Sequence, residues 1–186
     1  DMPAGTVRLH RVLTAKPERV YKAFLDGDAM NKWLPPFGFT GKVHSIDPRV
    51  GGGYKMSFTN FSTGNSHSFG GTYKELVPNE RLVYTDTFDD PNLPGTMVTT
   101  VSIRAVMAGC ELNIEQAGIP AQIPVEMCYL GWQQSLEQLA KLVEPVSGGV
   151  SAMPTLARPE THPGVVMGTV GYMSPEQASG EPLDFR

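Results

Sequence analysis

Apolar residues recur at steps of three and four positions along residues 123–143, which places them on one face of a helix. That face carries Val125, Cys128, Tyr129, Trp132, Leu136, Leu139 and Val143. The polar residues between them are expected on the opposite, solvated face, namely Glu126, Gln133, Gln134, Glu137, Gln138 and Lys141. Pro124 suits a first helical turn and Pro145 stops a helix. The pattern therefore predicts one long amphipathic helix.

The residues before this helix alternate between apolar and polar positions, which is typical of strands. A first strand is predicted at 7–13, and two short helices follow it at 17–25 and 29–34. About six further strands are predicted at 39–46, 54–58, 68–76, 81–88, 97–107 and 111–115. The clearest alternation places one set on a single strand face, namely Met97, Thr99, Val101, Ile103, Ala105 and Met107.

Short turns join these strands, so the predicted sheet is antiparallel. An antiparallel sheet with one apolar face needs a cover, and only the helix at 123–143 is long enough, at roughly 30 Å. We therefore predict an α+β fold in which a curved sheet of about seven strands wraps around a long C-terminal helix. A twisted sheet that grips one helix leaves an apolar gap, which is where a small ligand would bind.

Composition narrows the classes of function. Of the 186 residues, 40% are hydrophobic and 18% are charged, which is the balance of a globular domain. The net charge of −4 does not favour nucleic acid as a partner. No stretch reaches the roughly 20 apolar residues that cross a bilayer, and the first residues lack the pattern of a secretory signal. Cys110 and Cys128 do not make a disulfide framework, so we expect reduced thiols and a cytoplasmic protein.

The sequence contains no recognisable catalytic or metal-binding motif. Its four histidines have no metal-like spacing, and phosphate-binding glycine motifs and a G-x-S-x-G elbow are both missing. Gly51-Gly52-Gly53 therefore predicts a wide turn or a bulge. Cys128 is expected to be an inert core thiol, and Glu115 and Glu126 are expected at the surface. We predict no cofactor and no metal site.

Four segments together resemble one protein family. They are Asn31-Lys32-Trp33 with Pro36-Phe37-Gly38-Phe39, the turn at Gly52-Gly53, residues 71–84 (GTYKELVPNERLVY), and Gly131-Trp132-x-x-x-Leu136-x-x-Leu139. Over residues 5–144 the chain resembles the bacterial homologues of the activator of heat-shock protein 90 ATPase, within the START-like (SRPBCC) superfamily. The resemblance implies a helix-grip domain at 1–144 with a cavity between sheet and long helix. It implies no single activity, because a fold does not fix a function.

Residues 145–186 differ from the rest of the chain. They are rich in proline and glycine and poor in aromatics, which predicts a flexible extension. Residues 164–177 resemble the end of the activation segment of bacterial serine/threonine protein kinases, with Ser174-Pro175-Glu176 in the place of the A-P-E motif. The sequence contains neither D-F-G nor the H-R-D catalytic loop. We therefore interpret this segment as kinase-like without kinase activity.

The residues predicted to line the gap are mostly aromatic, and tyrosine hydroxyls among them would orient a ligand. They are Trp33, Phe37, Phe39, Phe58, His67, Tyr73, Tyr84, Met97, Val101, Tyr129, Trp132 and Leu136.

Three functions remain open from the sequence. The first is binding of a small apolar or amphipathic ligand in the gap. The second is a protein interaction that stimulates a chaperone ATPase, as the family resemblance suggests. The third is cyclase- or hydrolase-like chemistry on a bound ligand, for which no residue is an evident base. A homodimer stays open as well.

Overall fold

The alternating segments form one antiparallel sheet. The structure is a computed structural model that describes residues 4–145. In this range the strands are β1 (Gly5–Leu13), β2 (Phe39–Ile46), β3 (Gly53–Asn60), β4 (Ser66–Val77), β5 (Arg81–Phe88), β6 (Met97–Val106) and β7 (Gly109–Ile119). Their order across the sheet is β1-β7-β6-β5-β4-β3-β2. Each strand from β2 to β6 therefore pairs with the next strand in sequence, and β1 completes the sheet by pairing with β7.

Three helices complete the described fold, namely α1 (Pro17–Leu25), α2 (Gly27–Trp33) and α3 (Val125–Val143). α2 begins earlier than the pattern predicts, because the Asp26 carboxylate accepts a hydrogen bond from the Ala29 N–H at 3.0 Å and caps the helix. α3 begins at Val125 rather than at 123, since Pro124 is its N-cap residue. Both differences concern helix ends, and the predicted helices are otherwise present.

The long helix α3 is the cover of the sheet, and it packs on α1, α2 and β1. Its C-terminal end is held at two points. Arg19 of α1 donates from Nε to the carbonyl oxygen of Val143 at 2.7 Å, and Oε2 of Glu144 accepts from the Thr14 N–H at 2.9 Å. The predicted α+β helix-grip fold, with about seven strands and one long C-terminal helix, is confirmed.

The prediction of one strand face from Met97 to Met107 is wrong at its C-terminal end. Met97, Thr99, Val101 and Ile103 are buried, whereas Ala105 is exposed and Met107 is fully exposed. β6 ends at Val106, and Met107 belongs to the hairpin turn that leads to β7. Alternation alone cannot locate this turn, because its residues continue the apolar pattern beyond the core.

None of the described helices is long and apolar enough to cross a membrane. The extension predicted at 145–186, with its kinase-like segment at 164–177, lies outside the described residues except for Pro145.

Candidate functional site

A cavity of about 490 Å³ lies between the sheet and the N-terminal half of α3. This volume is in the range of pockets that take drug-sized ligands, which is about 300–1,000 Å³. Strands β2 to β5 supply most of its aromatic rings, namely Phe39, Tyr54, Phe58, Phe69, Tyr73, Tyr84 and Phe88. The helix α3 supplies Met127, Cys128, Gly131, Trp132 and Ser135.

Exposed residues of three connections border the cavity. They are Asn65 before β4, Asp90 between β5 and β6, and Gln122 before α3. Because these lining residues also reach solvent, the three connections form the mouth of the cavity.

The position of the cavity follows from uneven packing along α3. Leu136, Leu139 and Val143, in its C-terminal half, are at most 2% exposed, whereas no residue from 125 to 133 is fully buried. The sheet shows the same division, since Val101 is fully buried while Met97, on the same strand face, lines the cavity. Side chains thus fill the space under the last turns of the helix and leave it open under the first turns.

Seven of the predicted lining residues line this cavity, namely Phe39, Phe58, His67, Tyr73, Tyr84, Met97 and Trp132. Five of them, Phe39, Phe58, His67, Tyr73 and Tyr84, belong with Tyr54 and Phe69 to a continuous aromatic wall. Phe58 and Phe69 meet edge to face with ring centroids 4.8 Å apart, and the Tyr73 and Tyr84 centroids are 6.2 Å apart. This wall gives the cavity a large apolar contact surface.

Three predicted lining residues are core residues instead. Trp33 is fully buried, and its indole Nε1 donates to the carbonyl oxygen of Ala23 at 2.8 Å. Val101 and Leu136 fill the packed end between sheet and helix. Their apolar pattern correctly indicates an inward face, but it does not distinguish the packed end from the open end.

Two further predicted lining residues lie away from the cavity. The hydroxyl of Tyr129 accepts a hydrogen bond from the backbone N–H of Arg8 at 3.2 Å, which directs this ring toward the edge strand β1. Phe37 is 41% exposed. Neither residue is part of the cavity wall.

A line of hydrogen bonds runs from α3 across three strands beside the cavity. Trp132 Nε1 donates to Gln116 Oε1 at 3.0 Å, and Gln116 Nε2 donates to Thr99 Oγ1 at 3.3 Å. Thr99 Oγ1 donates to Asp86 Oδ2 at 3.4 Å, which is a long bond. The strand register brings these residues together. Thr99 is directly opposite Gln116, and Asp86 is directly opposite Met97, which is two residues before Thr99 on the same face of β6.

The sequence reasoning missed Asp86, which lines the cavity and is only 7% exposed. A signal was present, because the inward positions of β5 run through Leu82, Tyr84, Asp86 and Phe88 with a period of two. Its Oδ1 atom has no hydrogen-bond partner within residues 4–145. An unpaired buried acceptor typically costs about 1–3 kcal/mol of folding free energy, so this carboxyl group requires an explanation.

A model of the family described as Activator of Hsp90 ATPase homolog 1-like protein matches residues 14–144. The matched range contains nearly the whole sheet and all of α3. The chain belongs to this family. No curated protein matches the sequence.

Solved structures show the same fold. A protein of Chromobacterium violaceum is 62% identical with a TM-score of 0.75, and the match covers 76% of this chain and 98% of that protein. A protein of Rhodobacter sphaeroides is 18% identical with a TM-score of 0.64, covering 75% of this chain and 95% of that one. An AHSA1-like protein from Aeromonas hydrophila is 16% identical with a TM-score of 0.61, covering 74% and 90%. The latter two matches concern the fold alone.

In this member of the Hsp90-activator-like family, the cavity carboxyl group titrates near neutral pH. Burial raises the pKa of Asp86 from its ordinary value of 3.8 to about 7, and the polar side chains of Thr99 and Gln116 offset only part of this rise. Around pH 7 the side chain therefore exchanges between its neutral and its ionised form. A small change in its surroundings is enough to select one of them.

Burial also keeps other cavity groups neutral. It raises the pKa of the Tyr73 and Tyr84 hydroxyls well above their usual value, so both stay protonated. It lowers the pKa of His67, so this imidazole is uncharged at neutral pH. Cys128 lies in the cavity wall rather than in the core, and burial raises the pKa of its thiol to about 11.

The two glutamates expected at the surface, Glu115 and Glu126, do lie there. Glu115 pairs with Arg8 at 2.8 Å, and Glu126 is exposed, so neither carboxylate lines the cavity. Between residues 4 and 145 no three His, Cys, Asp or Glu side chains are grouped to hold a metal ion.

Two polar residues that the pattern placed in solvent instead contact the segment before β2. Gln134 is 6% exposed, and its Oε1 accepts from the Phe37 N–H at 3.0 Å. Gln138 donates from Nε2 to the carbonyl oxygens of Trp33 at 2.9 Å and Pro35 at 2.6 Å. The prediction of a solvated face is therefore wrong for these two residues. It holds for Glu126, Gln133, Glu137 and Lys141, which are exposed.

Ser135 adds a third link between α3 and this segment, since its Oγ donates to the Leu34 carbonyl oxygen at 2.6 Å. Leu34 and Pro36 both line the cavity. These polar side chains of α3 thus fix the position of one wall of the cavity, because they form hydrogen bonds with the backbone of the segment before β2.

Proposed function

We propose that this protein is a binding domain for a small apolar or amphipathic molecule, held in the cavity between the sheet and α3. The observation that carries the proposal is the cavity itself, of about 490 Å³, with aromatic rings on its walls and buried polar atoms among them. Ligand pockets combine these two features, because apolar walls provide affinity and a few polar groups provide orientation.

A cavity-filling substitution tests the proposal. Cys128→Trp places a large ring in the cavity wall, whereas Gln133→Trp places the same ring on the exposed side of the same helix. The probe is Nile red, an uncharged apolar dye whose emission increases in an apolar site. We expect the wild type and Gln133→Trp to bind it alike, and Cys128→Trp to bind it at least about tenfold more weakly.

The proposal fails if Cys128→Trp, shown to be folded by circular dichroism, binds the dye as well as the wild type does. It also fails if a broad panel of lipids and aromatic compounds leaves the melting temperature of the wild type unchanged, because a ligand that binds the native state raises it.

A second candidate function is stimulation of a chaperone ATPase, and the description of the matching family supports it. The test is the ATPase rate of the cognate bacterial Hsp90-type chaperone with a large excess of this protein. An increase supports this function, and an unchanged rate removes it. The Cys128→Trp variant separates the two functions, since stimulation through an outer surface does not need the cavity.

A further inference from the structure

Asp86 presents an unpaired oxygen atom at the wall of the cavity. Its side chain is 7% exposed and lines the cavity. Oδ2 receives the long 3.4 Å hydrogen bond from Thr99, and Oδ1 has no hydrogen-bond partner within residues 4–145. Buried polar atoms are normally paired, so an unpaired oxygen beside a cavity is available to accept a hydrogen bond from a ligand.

The neighbouring strands explain why the protein itself supplies no donor. On the β6 side Asp86 is opposite Met97, an apolar residue. On the β4 side the facing stretch contains Gly71, and a Cβ atom at this position would overlap the Thr85 carbonyl oxygen. Neither neighbouring strand therefore places a polar side chain against Oδ1.

A second unpaired atom lies on the adjacent strand. The hydroxyl of Tyr73 in β4 is buried and has no hydrogen-bond partner among the described residues. Tyr73 is 2% exposed and lines the same cavity as Asp86. A polar group of a ligand at this wall therefore meets a carboxyl oxygen and a hydroxyl, each with unused hydrogen-bonding capacity.

The charges of the cavity favour a positive ligand group. Asp86 and Asp90 line it, and no lysine or arginine of the described chain does. Burial lowers the pKa of His67, so this ring adds no positive charge at neutral pH. Aromatic faces attract cations, whereas an anion would meet these carboxylates without a counter-charge.

We propose that the cavity ligand carries a basic nitrogen, such as an amine or an amidine, that donates to Asp86 while its apolar part contacts the aromatic wall. The proposal rests on the proposed binding function and adds the class of ligand. A protonated nitrogen compensates the charge of the buried carboxylate, so the complex contains ionised Asp86. When the ligand binds to protein with a neutral Asp86, the carboxyl proton goes to solvent. The other titratable groups of the wall are Tyr54, His67, Tyr73, Tyr84, Asp90 and Cys128.

Three matched probes test this ligand class. 4-Phenylbutylamine, 4-phenylbutanol and 4-phenylbutyrate share a ring and a chain, and they differ only in a cationic, neutral or anionic head group. We expect isothermal titration calorimetry at pH 8 to give the amine at least about tenfold higher affinity than the carboxylate. The amine should also bind roughly a hundredfold more tightly at pH 8 than at pH 5, because ionising Asp86, with its pKa of about 7, has a cost at pH 5 that is absent at pH 8.

Proton release and one substitution identify the group that recognises the amine. Titrations at pH 6 in two buffers of different ionisation enthalpy should show about one proton released per amine bound and none per alcohol. Asp86→Asn keeps the size of the side chain and removes its charge. It should reduce amine affinity about tenfold or more and leave alcohol affinity within about threefold. Retained alcohol binding shows that the variant is folded.

The outcomes separate this inference from the binding function. If the alcohol binds and the amine binds no more tightly than the carboxylate, the inference is overturned while the binding function stands. Unchanged amine affinity in Asp86→Asn, or no proton release at pH 6, overturns it as well. If none of the three probes and no member of the broader ligand panel binds, both proposals are overturned.

Discussion

The indole of Trp132 and the amide of Gln116 form a hydrogen bond of 3.0 Å that joins α3 to β7, the strand next to the edge strand β1. Trp132 lines the cavity, and its bond to Gln116 is the first in the line of hydrogen bonds that continues through Thr99 to Asp86. The position of the helix and the polarity of the cavity are therefore connected through one side-chain contact.

This contact predicts an energetic coupling between the two residues. Trp132→Phe removes the indole donor, and Gln116→Met removes the amide at nearly constant size. A double-mutant cycle from urea unfolding should give a coupling free energy of about 0.5–1.5 kcal/mol, which is the usual contribution of one such bond. Strictly additive effects of the two substitutions would contradict the assigned bond.

Asp86 predicts how stability depends on pH. Its native pKa of about 7 lies above the ordinary value of 3.8, so between these values the native state keeps a proton that the unfolded state has lost. The free energy of unfolding therefore falls as the pH rises from about 4 to about 7, by roughly 4 kcal/mol at most.

Urea unfolding at several pH values checks this dependence. Asp86→Asn carries no such proton, so it should lose less stability over this range and exceed the wild type at pH 8. Asp90→Asn is the matched control, because it removes the same charge from an exposed position and should keep the wild-type decline. Parallel curves for the wild type and Asp86→Asn would contradict the buried titration.

The links from α3 to the segment before β2 predict a contrast between two glutamines. Gln138→Leu leaves the carbonyl oxygens of Trp33 and Pro35 without their donor, so it should lower the free energy of unfolding by about 1–3 kcal/mol. Gln133→Leu, at an exposed position of the same helix, should change it by at most about 0.5 kcal/mol. Equal effects, measured by urea unfolding, would argue that the hydrogen bonds of Gln138 contribute nothing.

The burial of Cys128 predicts that its thiol reacts slowly with alkylating reagents. Because burial raises its pKa to about 11, its thiolate fraction at pH 8 should be on the order of a hundredfold below that of an exposed cysteine. Mass spectrometry after iodoacetamide treatment should therefore find slow labelling that accelerates as the pH rises toward 10. Labelling at the rate of glutathione in the folded protein would contradict this environment.

The fold was predictable from the sequence because its signals are local. Alternation marks each strand, and the steps of three and four mark α3, whatever the elements later pack against. The extent of each element was less predictable. Met107 continues the alternation of β6 into an exposed turn, and Asp26 extends α2 through a cap that apolar spacing does not report.

The cavity was only partly predictable, because its position depends on contacts between distant elements. Leu136 and Trp132 occupy the same predicted face of α3, yet one fills the core and the other lines the cavity. The burial of Asp86 and Gln134 was not predicted, because a polar side chain is normally expected in solvent. Their partners become visible only when the strand register and the segment before β2 are known.

Three side chains of α3 form hydrogen bonds with backbone atoms of the segment that contains Leu34 and Pro36. These bonds do not depend on which side chains the segment carries. Amino-acid exchanges at these two wall positions can therefore reshape the interior while the attachment to the helix persists. Evolution, or an engineer, can alter the size and shape of the cavity by changing this short stretch and leaving the scaffold intact.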